Sequence, residues 1–96
     1  MGLPEFTFEH NTLYYHMSSV ELAGNQRKLC YLLFEKHPIE HRIPESEISE
    51  FLTNNPDDDL LDIKDLVKMV NRKLREELGL KESVIFRKNG TVYRIR

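Results

Sequence analysis

The stretch IKDLVKMVNRKLREEL, residues 63–78, carries five basic side chains in a chain whose formal net charge is −2. Projected on a helix at about 100° per residue and counted from Lys64, the apolar residues Ile63, Leu66, Val67, Val70, Leu74 and Leu78 fall between about 200° and 320°. That arc is one face suited to burial. Lys64, Lys68, Asn71, Arg72 and Arg75 fall between about −20° and 80°, while Asp65 and Glu76 lie near about 100–120° on the far flank. The segment predicts a helix over about 62–78 with a core side and a separate, nearly continuous cationic side.

Charge is distributed unevenly around this segment. Residues 1–65 hold five Lys or Arg against thirteen Asp or Glu, a balance of −8; residues 66–96 hold nine against three, a balance of +6. The C-terminal part is suited to a polyanion and the rest repels one. Downstream, SVIFRKNGTVYRIR, residues 83–96, reads as two strands about Asn89-Gly90, a pair that supports a type I′ hairpin turn, with Arg87, Lys88, Arg94 and Arg96 along it. Upstream, TNNPDDDLL, residues 53–61, is rich in turn formers and acids and predicts a solvated loop, with Asp59 or Asp62 capping the helix that follows. Before it, IPESEISEFL predicts a short helix over about 45–53, with Pro44 at its start and Ile48, Phe51 and Leu52 as its apolar set. From Asn25 the helical period returns through Gln26, Leu29, Cys30, Leu32, Leu33 and Lys36, giving a helix over about 25–36 that Pro38 ends. FTFEHNTLYYHMSSVEL, residues 6–22, reads as strands near about 5–9, 12–16 and 19–22, interrupted at His10-Asn11 and Ser18-Ser19.

Ninety-six residues, 40% apolar and 31% charged, suit one domain with its own core. No apolar run approaches the roughly 18 residues of a membrane span, and MGLPEF has neither signal-peptide order nor, with Phe6 at its sixth position, a myristoylation motif, so the expected compartment is the cytoplasm. The single Cys30 excludes an internal disulfide; set among Leu29, Leu32 and Leu33, it reads as an inert core thiol. Asp57, Asp58 and Asp59 are consecutive and point their carboxylates in different directions, and Pro38 separates His37 from His41, so neither cluster reads as a metal site. All four glycines are isolated, which leaves no phosphate-cradling loop. Neither an enzyme nor a cofactor is expected. Tyr14, Tyr15 and Tyr31 read as packing residues of a half-buried sheet and helix.

A short helix, a loop, a helix with an exposed cationic stripe and a basic hairpin form the layout of a winged helix-turn-helix. A helix fits the major groove of DNA, Lys and Arg neutralise phosphates or reach guanine, and Asn pairs with adenine. The hairpin adds backbone or minor-groove contacts. Four segments in order, VELAGNQRKLCYLL, RIPESEI, NRKLREEL and GTVYRI, resemble the winged-helix effector domain of OmpR/PhoB-type transcription regulators, including the N-terminal variant of ToxR- and CadC-like membrane regulators. The resemblance covers about residues 5–96. The chain departs from that pattern at Ala23 and Gln26, at Pro44, where Ser or Thr normally caps the second helix, and at Val92, where the wing's second Gly would stand.

The resemblance implies an α+β fold: a small N-terminal antiparallel sheet, three helices and a C-terminal β-hairpin wing, with the third helix in the major groove of double-stranded DNA. Lys64, Lys68, Asn71, Arg72 and Arg75 would then face the groove, and Arg87, Lys88 and Arg94 would hold the flanking backbone. It also implies sequence-specific binding as part of a bacterial regulator, homodimers on repeated half-sites, no small-molecule substrate, and a sensor, receiver or membrane segment outside this chain. The alternative is a winged helix that recognises another protein through its strands or through the acidic segment from Glu45 to Asp65.

Overall fold

The computed structural model describes residues 5–52 and 62–96. The loop expected over 53–61, with Asp57, Asp58, Asp59 and the capping role offered to Asp59, lies outside the described residues. The elements run β1 (Phe6–Glu9), β2 (Thr12–Tyr15), β3 (Ser18–Glu21), α1 (Gly24–Cys30) continuing as π-helical turns over Tyr31–Lys36, β4 (Ile43–Pro44), α2 (Glu45–Leu52), α3 (Ile63–Leu78), β5 (Ile85–Lys88) and β6 (Thr91–Arg94). The fold is α+β, with three helices and two small antiparallel sheets, ordered β1-β2-β3 and β4-β6-β5.

Backbone conformation explains the tight turns. Phe6 to Glu9 pair with Tyr15 back to Thr12, leaving His10-Asn11 as a two-residue turn with both φ positive, at 50° and 74°. Asn89-Gly90 repeats the device between β5 and β6 at 52° and 74°, as a type I′ turn requires. The second turn of the first sheet is at His16-Met17, with His16 at φ 52°, and not at Ser18-Ser19. Those serines are the first residues of β3, facing Tyr15 and Tyr14. Turn-prone residues here open a strand because the neighbouring histidine accepts the left-handed conformation.

The two sheets and three helices share one apolar core. Leu13 and Val20 of the first sheet, Leu29, Leu32 and Leu33 of α1 and its extension, Ile48 of α2, Leu66, Val70 and Leu74 of α3, and Ile85 and Val92 of the second sheet are all buried in it. Pro44 does not open α2. It pairs with Thr91 as Ile43 pairs with Val92, making a two-residue strand on the free edge of β6. An edge position suits a residue without an N–H. Glu45, the first residue of α2, then donates its N–H to the Gly90 carbonyl of the hairpin turn at 2.9 Å.

The helix ends follow their sequence. Asp62 caps α3, its carboxylate accepting from the Lys64 N–H at 3.2 Å, and Gly79 ends it in the left-handed conformation at φ 70°. Ala23 precedes α1 and makes no side-chain cap. Within Tyr31–Lys36 the hydrogen bonds lengthen to five-residue spacing, as in the 3.1 Å bond from the His37 N–H to the Leu32 carbonyl.

Candidate nucleic-acid interface

α3 packs on α1, α2, β3 and β5 through the apolar arc expected of it, with Ile63, Leu66, Val67, Val70, Leu74 and Leu78 buried. Away from that arc Lys64, Lys68 and Arg72 are exposed. Arg72 donates from Nε to the Glu76 carboxylate at 3.1 Å, an i,i+4 pair in solvent on both sides. Such pairs contribute about 0.3–0.5 kcal/mol, so a phosphate can displace the carboxylate at little cost. Arg75 is half-buried and donates from Nη1 to the Ser83 hydroxyl at 2.7 Å. A hydroxyl orients a guanidinium without neutralising it, so the charge of Arg75 stays available at the junction of α3 and the hairpin.

Asn71 is not part of the exposed stripe. It is 7% exposed, and its side chain is spent on the backbone of β5 and the residue before it. Its amide Nδ2 donates to the Ile85 carbonyl at 2.8 Å, and its Oδ1 accepts from the N–H groups of Ile85 at 3.1 Å and Val84 at 3.3 Å. On the helical projection Asn71 lies about 20° from Leu78, at the rim of the apolar arc. The hairpin covers that rim, and the polar residue there meets a strand in place of a base.

The hairpin divides its cations between two uses. Lys88, beside the turn, is exposed. Arg87 is exposed as well, with Nε 3.1 Å from a carboxylate oxygen of Glu45. Glu45 sits in the first turn of α2, where the helix dipole favours a negative charge, so this partner is held more firmly than Glu76. Arg94 contradicts the backbone-clamping role expected for it. It is 9% exposed on the inward side of β6, donating to the carbonyls of Leu33 and Arg96, with its guanidinium 4.8 Å from the centre of the Phe34 ring. Burial lowers its guanidinium from the ordinary value, though an arginine remains charged. The inward alternation of Val92 and Arg94 places it there. Arg96 turns back too, donating to Glu5 at 2.8 Å and to the Tyr15 hydroxyl at 3.0 Å.

The expected set thus separates into Lys64, Lys68 and Lys88, which are exposed, Arg72 and Arg87, which are exposed and each paired with a carboxylate, Arg75, which is half-buried, and Asn71 and Arg94, which are buried. One cation beside the hairpin escaped the sequence reading. Arg42 lies 4.9 Å from the centre of the Tyr93 ring, next to the cross-strand pair of Tyr93 and Phe86. Its signal was the position before Ile43, and a strand of two residues shows no alternation by which to read it. Elsewhere His37 and His41 stack at 4.3 Å and His37 Nε2 lies 3.0 Å from Glu47, a contact that ties the end of the first helix to α2. Among the described residues no three His, Cys, Asp or Glu side chains come together as metal ligands. Cys30 is fully buried, and burial pushes its thiol far above the ordinary value. Among the described residues no helix is long and apolar enough to cross a membrane. Comparisons of the chain with protein-family models, curated proteins and solved structures gave no match.

Proposed function

We propose that the chain binds double-stranded DNA in a sequence-specific way, as a winged helix-turn-helix domain of the OmpR/PhoB kind within a transcription regulator. The observation that carries this reading is the exposure of Lys64, Lys68 and Arg72 on a helix held to the core by the buried Ile63, Leu66, Val67, Val70, Leu74 and Leu78. A helix anchored on one side and cationic on the other fits a groove lined by phosphates. The element order supports the same reading, since α2 and α3 are followed by a hairpin bonded directly to α3.

In this reading α3 enters the major groove. Lys64 and Lys68 reach phosphates or guanine edges, Arg72 exchanges Glu76 for a DNA acceptor, and Arg75 contributes its charge at the hairpin junction. Lys88 holds the flanking backbone from the turn, with Arg87 behind it. Asn71 and Arg94 build the scaffold and touch no nucleotide. Selection from a random duplex library with the full chain tests the proposal. The expected result is an enriched motif, lost by the double variant Lys68→Ala, Arg72→Ala and kept by Lys81→Ala. A pool that stays random would remove the DNA reading.

A further inference from the structure

The hairpin is the outer part of the β4-β6-β5 sheet, and β5 is its edge strand. In an antiparallel pair, alternate residues exchange both backbone bonds with their partner and the residues between them turn theirs away. With the two-residue turn closed by Lys88 and Thr91, the residues of β5 that face away from β6 are Ile85 and Arg87. An edge strand with unpaired N–H and C=O groups attracts foreign strands or water, and Ile85 is 1% exposed, too deep for water to serve it.

Asn71 fills this gap. Its side-chain amide presents an N–H donor beside an acceptor oxygen in the spacing of a peptide group. It gives the donor to the Ile85 carbonyl at 2.8 Å and takes the Ile85 N–H on its oxygen at 3.1 Å, as the backbone of another strand would. The Val84 N–H adds a third bond to the same oxygen at 3.3 Å. Neither leucine nor a charged residue could do this, and only an amide-bearing side chain of this length satisfies both groups from a helix packed alongside.

We infer that Asn71 is a positioning residue: it stands in for the missing strand beside β5 and fixes the hairpin at one distance and angle from α3, so that Lys88 and the cations of α3 act on one duplex together. The functional half of this inference rests on the DNA-binding reading; the structural half does not. Opposite Asn71, Ile43 and Pro44 hold the free edge of β6, so the hairpin is gripped from both sides and Asn71 supplies the side that belongs to α3.

Two measurements on the full chain separate these halves. In the free protein, amide hydrogen exchange of Asn71→Ala should show Ile85 losing protection strongly while Leu66 and Val70 in α3 keep theirs; unchanged exchange at Ile85 overturns the inference. If Asn71→Ala does not fold, Asn71→Asp replaces it, an isosteric change that keeps the acceptor and removes the donor to Ile85. On a duplex, Lys88→Ala should weaken binding several-fold in the parent chain and have little further effect in the Asn71 variant, because an unfixed hairpin no longer delivers Lys88. Equal effects of Lys88→Ala in both backgrounds overturn the positioning role. Absence of duplex binding by the parent chain overturns the DNA reading and this functional half with it, and leaves the strand-substitute role to the exchange measurement.

Discussion

Arg94 and Lys88 belong to the same hairpin and are both cationic, yet the period of two along the strands sends them to different places. Lys88 lies beside the turn, where nothing covers it. Arg94, at the base, exchanges water for the Phe34 ring and for the carbonyls of Leu33 and Arg96. The Leu33 carbonyl lies in the last turn of the first helix, where a cation is favoured and carbonyls lack helical partners. Replacing Arg94 by Ala should cost about 2–3 kcal/mol, the range for a buried hydrogen bond to a charged group together with the acceptor left unpaired. The expected result is a lower urea midpoint with an unchanged slope, and duplex affinity equal to that of the parent when both are folded. Loss of affinity with intact stability would return Arg94 to the DNA surface. The sequence showed that these residues are basic, but not which way they point. Asn71 illustrates why: about 20° on the helical projection separates it from Leu78, and whether that rim faces solvent depends on the hairpin that packs across it.

At the scale of elements, the parts with strong local signals lie close to where the sequence places them. α3 runs from Ile63 to Leu78 against an expected 62–78, because its apolar arc is continuous and Asp62 and Gly79 mark its ends. β5 and β6 flank Asn89-Gly90, whose positive φ values are the reason for that residue pair. Elements held by tertiary contacts alone were not legible. β4 has two residues and exists because β6 offers an edge, and the π-helical turns at Tyr31–Lys36 leave the apolar residues Leu32, Leu33 and Phe34 buried, as an ordinary helix also would. Gly79 gives a test at this scale. A Cβ there would meet nothing within 4 Å, so the whole cost of Gly79→Ala is its left-handed backbone, at φ 70°. That cost is about 1–2 kcal/mol. Chemical denaturation should show the loss in full; a stability equal to the parent would mean that α3 ends in another conformation.

Over the whole molecule, the charge asymmetry read along the chain acquires a physical sense. The first sheet, α1, α2 and the first three residues of α3 belong to the part with a balance of −8, and the rest of α3 and the hairpin to the part with +6. A shared core holds the two parts together, so the acidic part cannot leave when the basic part meets a polyanion. It would instead bias the approach, turning α3 and the hairpin towards the duplex and the other elements away from it. Of the eight residues expected at the interface, Lys64, Lys68, Arg72, Arg87 and Lys88 are exposed cations. If these five neutralise phosphates, the logarithm of the affinity should fall with the logarithm of salt concentration at a slope of about −4 to −5. The direct test is a duplex-binding titration across salt concentrations with the full chain and with the double variant Lys68→Ala, Arg72→Ala. The account predicts that slope for the parent and a slope shallower by about 2 for the variant. A flat response, or the same slope for both, would contradict the claim that the exposed side of α3 is the surface that meets DNA.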